Sequence, residues 1–284
     1  MANPIVLDGK VLAEKSNQEI SQHAHNLTKK FGRPPTLAAI LVGEDPASKT
    51  YVSMKEKTCQ SLGINTKSHL ISEDSTTTEL LELIHTLNLD DSVDGILLQH
   101  PTPKHIDEQK CFNAIALDKD VDGVSTNGYG NMAMGLEAFK SCTPFGIMRL
   151  LNEYKIDCSG KLALVIGRSQ ILGKPMSALL LNADATVITA HSKTINLDKL
   201  LAEADIVVAA VGKPKFIDCK KLKKSSVLID AGYHPAEKCG DVDMEGIEDI
   251  VSAYTPVPGG VGPMTINTLM LNTVNAMEKN CYEQ

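Results

Sequence analysis

Short apolar runs rich in β-branched residues recur along the chain, and each is followed by a stretch with helical spacing. Thr36–Val42 (TLAAILV) reads as a buried strand, and Ser48–Leu62 as the helix after it, stopped near Gly63. Thr66–Leu70 reads as a second strand. Thr76 and Glu79 have the spacing of a capping box and open a helix that carries Leu80, Leu83, Ile84 and Leu87. Asp94-Gly95 then leads into the run Ile96-Leu97-Leu98. A second series starts at Leu162–Ile166 (LALVI), with a helix over Lys174–Asn182, a strand over Ala185–Thr189 and a helix over Leu197–Glu203. Further strands are expected at Asp205–Ala210, Ser226–Asp230 and Val251–Tyr254. Alternation of this kind folds as parallel sheets covered by helices, so the chain is expected to be an α/β protein.

A length of 284 residues suits about two domains, and we place the boundary near residues 140–150. Thr255–Thr265 (TPVPGGVGPMT) is dense in proline and glycine and is expected to be irregular. Thr265–Met277 reads as a closing helix that packs back on the first half.

Composition removes several classes of function. Asp and Glu number 35 against 28 Lys and Arg, a net charge of −7, which argues against a nucleic-acid binder relying on bulk positive charge. Ile206–Val211 is among the longest apolar runs, at six residues, where a bilayer span needs about 20. The opening MANPIVLDGK lacks the pattern of a signal peptide. The 7 cysteines include no CxxC pair, and no HExxH occurs. We therefore expect no disulfide framework, no metal, no membrane partner and a reducing, cytoplasmic setting.

The segment Gly160–Pro175 (GKLALVIGRSQILGKP) is a strand, a loop and a helix start in succession. Gly167, Arg168, Ser169 and Gly173 shape the loop, whose amides suit a phosphate. An ordinary strand-to-helix turn has the same outline. The end of the next strand is more informative. An NAD-binding fold usually has a carboxylate there for the ribose 2′-hydroxyl. This chain has Ala190-His191-Ser192-Lys193, with no acid to repel a 2′-phosphate. Ser192 and Arg168 would hold that phosphate, which favours NADP; a merely polar strand end reads the same way.

In the first half, Tyr51 and Lys55 stand one helical turn apart on one face. A tyrosine ring offers a flat apolar plane, and a partly desolvated lysine can serve as a base. A solvated helix face with a snorkelling lysine is the plainer alternative. Gln99 ends the run GILLQ, at the strand C-terminus where open α/β sheets place ligands. Lys119–Gly123 (KDVDG) brings Asp122, an acceptor for an amino-heterocycle or a residue of a solvated turn.

These segments together resemble the bifunctional methylenetetrahydrofolate dehydrogenase/methenyltetrahydrofolate cyclohydrolase family. The likeness runs from Asp8-Gly9-Lys10 through Tyr51-x-x-x-Lys55, GILLQHPTP, KDVDG, CTPFG at Cys142–Gly146, GRSQILGKP, ATVITAHSKT and GDVD to TPVPGGVGPMT. It implies two α/β domains, the second a Rossmann-type NADP-binding domain, with the active-site cleft between them. The first would span residues 1–143, joined by the C-terminal helix 265–284, and the second 144–264. It implies oxidation of 5,10-methylenetetrahydrofolate with NADP⁺ and hydrolysis of the product to 10-formyltetrahydrofolate, within one-carbon folate interconversion that feeds purine synthesis. Lys55 would be the central catalytic residue, with Gln99 tuning its protonation. Tyr51 would stack on the folate and Asp122 hold the pterin. Gly259, Gly260 and Pro263 would line the folate site. Gly167, Arg168, Ser169, Gly173, His191 and Ser192 would bind NADP. A cytoplasmic homodimer acting on a small folate, with neither metal nor nucleic acid, is implied as well.

The chain departs from the family pattern at several places. Val124-Ser125-Thr126 stands where Phe-His-Pro is frequent, and Ser141 where a proline is common. His100 and Thr102 occupy frequent leucine positions, and Tyr233-His234 the place of an Ile-Asn pair. None of these is a residue with an assigned chemical role. Cys142 is expected to be a small buried thiol rather than a nucleophile.

Overall fold

The computed structural model describes residues 3–282. Along the chain it forms β1 (Ile5–Val6), α1 (Gly9–Phe31), β2 (Thr36–Val42), α2 (Pro46–Leu62), β3 (Asn65–Ile71), α3 (Thr77–Asn88) and β4 (Gly95–Leu98). Then come α4 (Glu108–Ala114), α5 (Thr126–Ala133), α6 (Cys142–Glu153), β5 (Leu162–Ile166), α7 (Gly173–Asn182), β6 (Thr186–Ala190) and α8 (Leu197–Glu203). The rest is β7 (Ile206–Ala209), β8 (Ile217–Asp218), β9 (Val227–Asp230), β10 (Val242–Asp243), β11 (Ala253–Tyr254) and α9 (Val261–Tyr282).

The chain divides into two compact units. One contains Lys15–Cys142 and the chain from Ile266 onward; the other contains the chain up to Glu14 and Thr143–Thr265. The first residues therefore leave the half in which the sequence reading put them. The cause is β1, which pairs in parallel with β11, Ile5 opposite Ala253. Lys10 N also donates to the Gly259 carbonyl at 2.9 Å, fixing the start of α1 to the same unit.

In the first unit the sheet order is β3-β2-β4, all parallel. The central β2 is buried along its whole length because helices cover both faces. Its side chains alternate. Leu37, Ala39 and Leu41 meet Ile20 and Leu27 of α1, Val52 and Cys59 of α2, and Leu269, Met270 and Met277 of α9. Ala38, Ile40 and Val42 meet Leu80 and Ile84 of α3 and Phe112 of α4. α3 begins with the full capping box: Thr76 Oγ1 accepts from Glu79 N at 3.2 Å, and Glu79 Oε2 accepts from Thr76 N at 2.7 Å.

In the second unit six parallel strands lie in the order β1-β11-β9-β7-β5-β6. From β5 the chain moves outward to β6, then returns to β7 on the other side. This reversal makes β5/β7 the topological switch point, where open α/β sheets form a crevice for ligands. α9 starts at Val261, earlier than the sequence reading allowed. Pro263 lies in its first turn, where a missing N–H removes no helical hydrogen bond.

Candidate active site

The alternation in β4 explains how the first constellation forms. Leu97 packs with Val52 and Cys59 of α2, so Gln99, two residues on, emerges on that same face. α2 is held in register at both ends. Asp45 accepts from Ser48 N at 2.8 Å, Pro46 opens the first turn, and Gly63 closes the helix at φ 75°. Lys55 lies beside the buried stripe of Val52 and Cys59, half-buried itself. Its Nζ donates to Gln99 Oε1 at 2.9 Å. The other end of the amide is fixed as well, since Gln99 Nε2 donates to the His100 carbonyl at 2.7 Å. Gln99 is 7% exposed, while Tyr51, one turn before Lys55, is 43% exposed.

KDVDG separates into residues that hold the loop and one that does not. Lys119 Nζ donates to the carbonyls of Leu87, Asn88 and Asp90, at 3.1, 2.9 and 2.9 Å, so it closes the end of α3. Asp120 is buried and accepts from Val124 N and Ser125 N at 3.1 and 2.9 Å; burial pushes its carboxyl up to about 6. Val121 is in the core. Gly123, at φ 65°, passes so near Ser141 that a Cβ would stand 2.5 Å from its N. Asp122 remains, half-buried; its carbonyl accepts from Cys142 N at 3.2 Å, and its carboxylate faces the Cys142 thiol. Burial and then Asp122 push the Cys142 thiol well above its usual value, and Lys55 pulls it the other way. Lys55, Gln99, Asp122 and Cys142 thus share one locality. A buried thiol kept protonated is not a nucleophile.

Two departures from the family pattern have structural uses. Ser125 is the N-cap of α5, its Oγ accepting from Gly128 N at 3.0 Å. Ser141 Oγ donates to the Gly123 carbonyl at 2.6 Å. Asn272 of α9 escaped the sequence reading. It is buried and donates to the carbonyls of Val121 and Lys140 at 2.8 and 3.3 Å, bracing the backbone on both sides of the Asp122 loop. A buried amide in α9, alongside the buried Asn267, Thr268 and Thr273, is the available signal.

The coenzyme candidates sit at the switch point of the second unit. Gly167, at φ 132°, backs onto Ala210: a Cβ there would lie 2.2 Å from the Ala210 carbonyl oxygen. At Gly173 a Cβ would lie 2.3 Å from the Gly167 oxygen. Ser169 Oγ accepts from Leu172 N and Gly173 N at 3.2 and 3.3 Å and folds the loop back. At the start of α7 Gly173 N is bonded to Ser169 Oγ, Lys174 N donates to the Ser169 carbonyl at 3.0 Å, and Pro175 has no N–H. β5 and β6 pair Ile166 with Ala190, and Gly167 N donates to the Ala190 carbonyl at 2.9 Å. Arg168 and Ser192, both exposed, therefore leave adjacent strand ends. His191 shapes the second turn, its Nδ1 accepting from Lys193 N at 3.2 Å.

Gly259 and Gly260 also lie in the second unit, in the turn before α9. Gly259 has φ 112°, and a Cβ on Gly260 would stand 2.6 Å from Thr255 Cβ. Gly9 backs this turn; a Cβ there would stand 1.7 Å from the Gly260 oxygen. Among the described residues no group of three His, Cys, Asp or Glu side chains is placed to hold a metal, and no helix is long and apolar enough to cross a membrane.

Comparison with known proteins matches most of the chain. Residues 7–122 match the catalytic domain of tetrahydrofolate dehydrogenase/cyclohydrolase, and residues 141–281 its NAD(P)-binding domain. The Bifunctional protein FolD of Cellvibrio japonicus is 54% identical over 97% of this chain and 98% of its own. A crystal structure of the bifunctional enzyme FolD from Campylobacter jejuni is 44% identical, covers 96% of this chain and 98% of its own, and superposes with a TM-score of 0.94. The Trypanosoma brucei dehydrogenase-cyclohydrolase, solved with NADP cofactor and inhibitor, is 30% identical over 99% of both chains, with a TM-score of 0.93. The chain belongs to the tetrahydrofolate dehydrogenase/cyclohydrolase family.

Proposed function

We propose that Lys55, held by Gln99, is the proton-handling residue of a two-step conversion of reduced folate. The chain oxidises 5,10-methylenetetrahydrofolate to 5,10-methenyltetrahydrofolate with NADP⁺, then hydrolyses the product to 10-formyltetrahydrofolate. The observation that carries the residue assignment is the 2.9 Å bond from Lys55 Nζ to Gln99 Oε1.

NADP⁺, when bound, accepts the hydride that leaves the methylene carbon with both electrons of its C–H bond. The glycine-lined cradle fits this coenzyme: bare backbone at Gly167 and Gly173 lets a pyrophosphate approach the start of α7. Arg168 and Ser192 supply charge and a hydroxyl to the 2′-phosphate, and Ser169 and His191 shape the two turns that carry them.

In the hydrolytic step a water oxygen bonds to the methenyl carbon and gives up one proton; the resulting hydroxyl gives up the other as the carbonyl forms and one carbon–nitrogen bond breaks; the freed ring nitrogen takes one of the two protons and the other leaves to solvent. Lys55 as the free amine accepts the proton of the attacking water. A neutral amide suits this task. Gln99 Oε1 accepts from lysine in either protonation state and fixes Nζ without the charge of a carboxylate. Asp122 accepts from the amino group and ring N–H of the pterin. Tyr51 offers its ring face to the same heterocycle. Gly259 and Gly260 leave their turn bare of side chains, Pro263 lies in the first turn of the helix after it, and the three are proposed to bind folate.

A homodimer in the cytoplasm completes the proposal. All 7 cysteines are free thiols, which suits a reducing compartment; homodimerisation follows the family likeness and is checked by sedimentation equilibrium. The function is tested on purified protein with two assays. Methylenetetrahydrofolate should drive formation of NADPH, and added methenyltetrahydrofolate should lose its absorbance faster than in buffer. Failure of both assays would overturn the reading.

A further inference from the structure

We propose that His234 is a positioning residue for the dehydrogenase reaction, acting through Asp241 on the loop Val211–Lys213 at the coenzyme crevice. The inference rests on the NADP-dependent reading above and concerns residues that reading leaves without a task.

Ala210 ends the β7 side of the crevice, its N donating to the Ile166 carbonyl at 2.9 Å and its own carbonyl backing Gly167. The next residues, Val211, Gly212 and Lys213, turn their amides away from any strand. All three donate to one carboxylate, that of Asp241, at 2.6, 3.0 and 3.0 Å. Asp241 is 0% exposed, so every donor it has is needed to replace lost water. His234 supplies the further donor: its Nε2 stands 2.9 Å from Asp241 Oδ1, the oxygen that also serves Lys213 N.

His234 is itself placed by backbone. Its N donates to the Cys239 carbonyl at 2.8 Å, closing a short antiparallel bridge. Its ring is 17% exposed, which leaves the imidazole at the rim and the carboxylate beneath it. Behind Asp241 lies Asp230, which accepts from Asp241 N at 3.0 Å and from Val242 N and Gly232 N at 2.9 Å each. Asp230 bears the same charge as Asp241, and Lys215 is committed to Asp243 at 3.3 Å. His234 is thus the side-chain donor that the structure sets against the Asp241 carboxylate. Without it, the carboxylate has only backbone amides to hold, and the loop that frames the coenzyme loses its brace. Asp230 N in turn donates to Thr255 Oγ1 at 2.8 Å, tying the same network to the turn that ends in Gly259 and Gly260.

The test compares donor with non-donor replacements. His234→Asn and His234→Gln keep an N–H for Asp241; His234→Ala and His234→Leu do not. Both activities are measured on each variant, the cyclohydrolase with added methenyltetrahydrofolate and no coenzyme. The non-donor pair should raise the KM for NADP⁺ about tenfold, with a smaller change in kcat and an unchanged cyclohydrolase rate. At least one donor variant should restore the KM. Wild-type protein in the same assays tests the dehydrogenase reading separately. An unchanged KM in the non-donor pair, an equal fall of both activities, or donor variants no better than non-donors would overturn the role of His234.

Discussion

Lys55 and Gln99 meet because a strand and a helix share one face: Gln99 follows Leu97 on the side of β4 that packs against α2, and the bond that results is 2.9 Å long. The amide holds the lysine without the charge of a carboxylate. Gln99→Glu would place a carboxylate beside the ammonium and stabilise the charged form. The ascending, acidic limb of the cyclohydrolase pH profile should then move to higher pH. Measured at one neutral pH, the rate should fall about tenfold or more. A profile unchanged in position would contradict the proposed base.

Arg168→Ala removes the charge assigned to the 2′-phosphate. A hydrogen bond to a charged group contributes about 1.5–3 kcal/mol, so the KM for NADP⁺ should rise roughly tenfold to a hundredfold. NAD⁺, which has a hydroxyl at that position, should change little. Steady-state assays with each coenzyme check this, and equal losses with the two would remove Arg168 from the 2′-phosphate site.

Gly173→Ala forces a methyl to within 2.3 Å of the Gly167 oxygen. The backbone around it cannot give way without moving the cradle. Dehydrogenase activity should fall at least tenfold through NADP⁺ affinity, a loss of about 1.4 kcal/mol or more in binding. The cyclohydrolase rate, which requires no coenzyme, should stay near wild type. Coenzyme titration followed by fluorescence checks the first part.

Much of this arrangement is legible in the sequence, and the limits have a physical cause. TLAAILV has the continuous apolar character of a strand buried on both faces, and the capping box at Thr76 and Glu79 marks a helix start to the residue. Gln99 stands at a strand end and is recognisable as such. β1 is different. Ile5 and Val6 are two half-exposed residues, and their partners Ala253 and Tyr254 lie at the far end of the chain. No local pattern marks that pairing, and it moves the N-terminal segment from one unit to the other. The tasks of Asn272 and of Asp241, the latter within the GDVD segment, are illegible for a similar reason. Each satisfies carbonyls or amides from distant loops, and a polar residue in a sequence carries no sign of which backbone groups lack partners. The Pro-Gly stretch before α9 was expected to be irregular throughout, yet Pro263 is compatible with a first helical turn and the helix begins at Val261.

Asp230 gives a prediction about pH and stability. Burial pushes its carboxyl up to about 6, against the ordinary 3.8, with Asp241 adding to the rise. Between about pH 4 and pH 6 the folded protein therefore holds a proton there that the unfolded chain has lost. The contribution of this group to stability is full below about 4 and is lost as pH rises through about 6. Carboxyl carbon shifts should titrate with a midpoint near 6 for Asp230 in the folded state. Midpoints near 4 would contradict the burial seen around it.

The most direct measurement is the pair of activities of Lys55→Met, taken with the affinity for NADP⁺ of the same preparation. Methionine keeps most of the length of the side chain, one atom short, and cannot carry a proton. The cyclohydrolase rate should fall by about two to four orders of magnitude, while NADP⁺ binds as tightly as to the wild type. A variant that still hydrolyses methenyltetrahydrofolate at the wild-type rate would contradict the assignment of Lys55 and with it the account of both steps.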